Sequence, residues 1–259
     1  MSTLTPEENT MNSDIQTART ERKAEASPRT RARMTGVVYL LFFLTAIFGE
    51  VLTRQAGISG LGVASGDAAA TANTLLAHEA SFQLGFALGL ISQACYVALT
   101  ALFYQLFKPV SRTLALLAAF FSLVAIAIQV FGSLFQLAPL VMLSGSPYLS
   151  VFNVKQLQAL ALLFLNLNAH IGSVYLGFFG LFLLLIGSLI FRSTFLPRIL
   201  AAPITLAALG WLTFLWPPLA NSLSTYIEVL GFIAEGSLML WLLVMGVNSQ
   251  RWKEQESRA

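Results

Sequence analysis

The sequence predicts an all-α polytopic membrane protein: six transmembrane helices, with both termini in the cytoplasm. Three observations lead there. Apolar residues make up 56% of the 259 and charged residues only 10%, against about 45–50% and about 25% in a soluble domain. Mean hydropathy is +0.74, so too little polar surface remains to coat a globule in water. The apolar residues also gather in runs of about 20, the length that crosses a ~30 Å hydrocarbon core as a helix. The basic residues, finally, sit almost all in the tails and in every second connection between those runs, which gathers them on one side.

Residues 1–33 hold six Lys/Arg, five Asp/Glu and almost no large apolar side chain. Such a segment buries too little surface to fold, which predicts a disordered cytoplasmic tail. Its basic end, Arg29, Arg31 and Arg33, abuts the first apolar run and predicts an uncleaved signal anchor. The transmembrane domain then covers 34–247. Helix 1 is expected over about 34–52, followed by a Gly- and Ala-rich connection with Asp67 as N-cap of a short interfacial helix at 67–78. Helix 2 takes about 79–107 and stops at the Lys108-Pro109 turn, and helix 3 takes about 113–143. The next apolar stretch, 156–191, would be about 54 Å long as one helix, well beyond the hydrocarbon core. It is therefore expected to divide into an interfacial piece at 156–165 and helix 4 at about 170–191. Helix 5 spans about 199–216 and ends at Pro217-Pro218, helix 6 takes about 223–247, and 248–259 is a polar cytoplasmic tail.

Of the fifteen Lys/Arg, all but Arg54 and Lys155 lie in the N-terminal tail, the 108–112 turn, the 192–198 turn or the C-terminal tail. The positive-inside rule then puts both tails in the cytoplasm, which an even number of crossings requires. The net charge of +3 is explained by this topology, and no nucleic-acid partner is expected. The expected partner is the lipid bilayer. Oligomeric state is left open. A single cysteine, Cys95, excludes a disulfide framework and a cysteine zinc site. No G-x-S-x-G elbow, P-loop or dinucleotide glycine motif occurs, and no lysine lies within a span, so no cofactor and no catalytic residue is assigned.

One segment echoes another. Ala77-His78-Glu79-Ala80-Ser81-Phe82-Gln83-Leu84-Gly85-Phe86 and Ala169-His170-Ile171-Gly172-Ser173-Val174-Tyr175-Leu176-Gly177-Phe178 agree at six of ten positions. Duplicated helical hairpins and coincidence in a chain rich in Phe and Gly both account for this. The small residues four apart, Ser81, Gly85 and Gly89, and Ser173 and Gly177, predict close helix packing in lipid.

Ionisable groups within spans are costly and mark functional candidates. Here they are Glu50, Glu79, Glu228, Glu235, His78 and His170, accompanied by Asn166, Asn168, Gln83, Gln93, Gln129 and Gln136. Counting ~1.5 Å per residue from the inner helix ends puts Glu235 about 18 Å up, near the midplane, Glu50 and Gln129 about 24 Å up, Glu228 about 28 Å and His170 about 33 Å. The outer half is polar and the inner half apolar, which predicts a cavity open to the periplasm. Glu228 and Glu235, seven apart, share a helix face about 10 Å from each other, and Asn166, His170 and Ser173 form a second polar stripe. Glu50, Asn166, His170, Glu228 and Glu235 are therefore the expected ligand-binding residues, converging from helices 1, 4 and 6.

The segment Leu176-Gly177-Phe178-Phe179-Gly180 through Gly187, with Arg192-Ser193 and Leu196-Pro197-Arg198, resembles the signature of a bacterial integral-membrane family. The start of helix 1, Gly36-Val37-Val38-Tyr39-Leu40-Leu41-Phe42, the Ala77-His78 region and the Lys108-Pro109-Val110-Ser111-Arg112 turn are similar as well. The resemblance covers about residues 34–247. That family is catalogued as a six-helix domain of unknown function. The resemblance implies a bacterial inner-membrane protein and supplies no activity.

Three readings of the polar groups stay open: a site that binds or conducts a small ligand or ion, a metal-dependent hydrolase built on His78, His170 and a carboxylate, and interhelical hydrogen bonds in a structural or accessory subunit. The metal reading lacks an HExxH pairing.

Overall fold

Ser27 caps the first helix by accepting a hydrogen bond from the Thr30 amide, and Pro28 occupies the first turn, where its missing N–H costs nothing. In the computed structural model, which describes residues 27–60 and 62–258, this helix, α1, runs Pro28–Gln55. It starts six residues before the expected boundary. The rest of the expected N-terminal tail, residues 1–26, lies outside the described residues.

The connection after α1 is a small antiparallel hairpin, β1 (Ile58–Ser59) with β2 (Gly62–Val63), pairing Ile58 with Val63 and Ser59 with Gly62. Gly57, at φ 75°, makes the turn out of the helix. Asp67 caps α2 (Ala68–Ala77) through the Ala70 amide, as expected. The long helices α3 (Glu79–Phe107) and α4 (Arg112–Met142) agree with the expected spans to within a residue.

The next helix, α5, is continuous over Val154–Arg192. It was expected to break. At about 1.5 Å per residue its 39 residues reach about 58 Å, far longer than the hydrocarbon core. Its start is fixed by a capping box, in which Asn153 and Gln156 each accept the other's backbone N–H. No glycine or proline interrupts it before Gly172. Packing against α2 and α4 holds the overhanging turns.

The fifth crossing is composite: a 3₁₀ turn at Arg198–Leu200, α6 (Ala201–Leu212) and a second 3₁₀ turn at Thr213–Leu215. Pro217 and Pro218, expected only to end that crossing, also begin the next helix, α7 (Pro217–Val244). Gly246, at φ 68°, turns the chain at the end of α7. The supposed polar tail then folds as α8 (Ser249–Glu256). Trp252 is 5% exposed and donates its indole N–H to the Leu106 carbonyl at 3.0 Å.

Among the described residues, six helical segments are long and apolar enough to cross a membrane. They pack as a closed circuit: α1 on α3, α3 on α4, α4 on α5, α5 on α6, α6 on α7, and α7 back on α1. The α5 span is 56% buried and those of α1, α3 and α4 are each 28% buried, so α5 is the central helix and the others show a lipid-ready face. Glycines set the closest approaches. A methyl group at Gly85 would lie 2.8 Å from the Gly49 carbonyl oxygen, where α1 crosses α3. An aromatic core runs through the middle, with Tyr39 edge-on to Phe103 at 5.7 Å and Tyr96 5.7 Å from Phe179. One end of the bundle, with the 108–112 and 192–198 turns, is basic. The other carries the hairpin and α2.

Candidate functional site

At the hairpin end, α1 presents Glu50 and, one turn later, Arg54. The Arg54 Nε donates to Glu50 Oε1 at 2.7 Å, and its Nη2 lies 3.7 Å from Glu228 Oε2 on α7. The Gly60 amide of the hairpin reaches Glu50 Oε2 at 3.4 Å. These side chains are 57% (Arg54), 37% (Glu50) and 39% (Glu228) exposed. Ion pairs so exposed contribute about 0–1 kcal/mol. The network therefore ties α1, α7 and the hairpin together in position more than it stabilises them.

Two cavities of about 220 Å³ each lie under this network, and both are lined by Glu50, Gly60, Gln129 and Tyr175. The first is an amide chamber. Gln93 comes from α3, Gln129 and Gln136 from one face of α4, and Asn168 from α5. The second lies against Arg54, Glu228 and Trp211. The glycines of the α1–α3 crossing also line the chamber, but in two ways. Gly49 and Gly85 are in backbone contact. At Gly89 a methyl group would meet nothing within 4 Å, so its missing side chain leaves open space.

Beneath the chamber sits Glu235, 6% exposed on α7. Its Oε2 accepts the Tyr39 hydroxyl proton at 2.8 Å across the α1–α7 contact. Tyr96 and Tyr175 lie within electrostatic range of the same carboxylate. Tyr175 also lines both cavities.

The expected site residues are thus sorted by the fold. Glu50 and Glu228 are brought together through Arg54. Glu235 shares their end of the molecule but lies deeper, with its own partner. Asn166 and His170 do not join them. Both are exposed, and the His170 Nδ1 is paired 2.7 Å from the carbonyl of Asn166 in its own helix. The reason is angular. The cavity face of α5 is Asn168, Gly172 and Tyr175, and a residue two positions from Asn168 points about 200° away. The two histidines of the echoed segments stand in different surroundings. His78 sits at the break between α2 and α3, whereas His170 lies within a helix. Both are exposed, and among the described residues no group of three His, Cys, Asp or Glu is placed to hold a metal ion. The chamber is lined instead by Asn168, Gln93, Gln129 and Gln136, which the sequence marks only as company to the ionisable groups, and by Tyr175, which it does not mark. The seven-residue spacing of Gln129 and Gln136 was the available signal.

Fold and cavity together define a multi-pass helical membrane protein with a polar chamber at one end of an otherwise apolar bundle. The chain belongs to the family described as Domain of unknown function (DUF4386), which matches residues 34–246. No curated protein and no solved structure matches it.

Proposed function

We propose that this is a bacterial inner-membrane protein, with both termini cytoplasmic, that binds a small ligand or ion in a chamber open to the periplasm and passes it inward or senses it. The chamber carries the reading. Four carboxamides and a carboxylate line one space that reaches, counted at ~1.5 Å per residue, from the outer edge of the ~30 Å core inward to Gln129 and Glu50, where polar groups are expensive unless they serve a solute or one another. The basic turns at the opposite end support the orientation, because positively charged loops stay in the cytoplasm.

Accessibility tests it. In a Cys95→Ala background, Gln129→Cys is exposed to a membrane-impermeant maleimide added outside intact cells. Leu123→Cys, on the lipid-facing side of α4, serves as control. Labelling of Gln129→Cys without permeabilisation, with Leu123→Cys unlabelled, is the expected outcome. Labelling only in inverted vesicles, or none, refutes the reading.

A further inference from the structure

The chamber's charge and hydrogen-bonding capacity point to a class of occupant. Gln93, Gln129, Gln136 and Asn168 make no hydrogen bond with any described residue, and neither does the Tyr175 hydroxyl. Asn168 is the most telling, being 7% exposed and facing the chamber unpartnered. A buried amide without a partner costs about 1–3 kcal/mol; Asn168 is such a residue, and the three glutamines, half-buried beside it, turn further unpaired amides to the same space. Each carboxamide offers two N–H donors and a carbonyl acceptor. That is the complement of a hydroxyl group, which both donates and accepts.

Charge argues the other way for an ion. Among the described residues, the one charged side chain lining the chamber is Glu50. Its carboxylate is already engaged by the Arg54 Nε and by the Gly60 amide. A cation stripped of water would have to compete with Arg54 for that carboxylate, and a buried unpaired charge is far more costly than a buried hydroxyl. Size sets the limit. About 220 Å³ equals roughly seven waters at ~30 Å³ each, room for a three- or four-carbon chain and not for a disaccharide.

We infer that the amide chamber binds an uncharged small polyol, each hydroxyl paired to a carboxamide. This deepens the binding reading above and rests on it. The test is scintillation-proximity binding of [14C]erythritol to the full chain in nanodiscs. Saturable binding is expected, displaced by unlabelled erythritol and unaffected by choline chloride or KCl. Gln129→Leu should weaken it about 2- to 12-fold, the loss of one hydrogen bond, and His170→Ala should leave it unchanged. If Gln129→Leu fails to fold, Gln129→Glu keeps the shape, and it should lose erythritol and gain choline binding. Absence of saturable binding to the wild-type chain, displacement by choline, or full binding by the Gln129 variant would overturn the inference. Failure here alongside external labelling of Gln129→Cys removes the polyol and leaves the open chamber. Failure of the labelling removes both.

Discussion

Tyr39→Phe isolates one hydroxyl. The ring keeps its edge contacts with Phe43 at 5.3 Å and Phe103 at 5.7 Å, while the only hydrogen bond to Glu235 among the described residues is removed. Two magnitudes bracket the loss. Interhelical hydrogen bonds in membranes average about 0.6 kcal/mol and reach about 1.7. Bonds to an ionised partner are worth about 1.5–3 kcal/mol. This bond is 2.8 Å long and joins a fully buried phenol to a carboxylate that is 6% exposed. The orphaned acid has no alternative donor among the described residues, so the cost belongs at the top of the membrane range, about 1.5 kcal/mol. That is about a tenfold shift in the unfolding equilibrium. Reversible unfolding in mixed micelles, titrated with SDS, reads it directly. Glu235→Leu removes the acceptor, and adding Tyr39→Phe to it should cost little more, giving a coupling energy of about 1–1.5 kcal/mol. A Tyr39→Phe cost below about 0.3 kcal/mol, or strict additivity in the cycle, refutes the view that this pair fastens α1 to α7.

Two further outcomes follow from the packing. Gly36→Ala places a methyl group against the Leu243 backbone nitrogen, 2.6 Å from its Cα and 2.9 Å from the Leu242 carbonyl carbon. Backbone cannot rotate aside, so α1 and α7 must separate, at about 1–3 kcal/mol in the same SDS titration. Gly89→Ala, with open space around it, should stay within about 0.5 kcal/mol of wild type. Trp252→Ala removes a buried indole and its bond to the Leu106 carbonyl. It should free α8, and trypsin should then cut at Arg251 and Lys253 many times faster in detergent micelles. Equal cleavage rates for wild type and variant would show that Trp252 does not hold α8.

Much of this architecture was legible because membrane crossing is a matter of length and hydrophobicity, which are local. The limits of α3 and α4 fell within a residue of expectation. What was not local was misjudged. The length of α5 contradicts the thickness of a bilayer, and only its packing on α2 and α4 explains how the surplus turns are held. The helix α8 has a polar sequence that gives no hint of the groove receiving Trp252. At the site, attention to titratable groups favoured His170 over Asn168, although two residues of helix separate opposite faces. Glu228 and Glu235 were rightly placed on one face. Their different roles depend on Arg54 and Tyr39, partners brought from almost the other end of the chain.

That last contact bears on assembly. Tyr39 and Glu235 are 196 residues apart, and α1 inserts while the ribosome has yet to make α7. Throughout synthesis the phenol of Tyr39 waits in lipid or against a provisional neighbour, and the circuit of helices stays open at the α1–α7 seam. Its closure waits on an acid from the last span: a chain truncated before residue 235 leaves the seam unlatched.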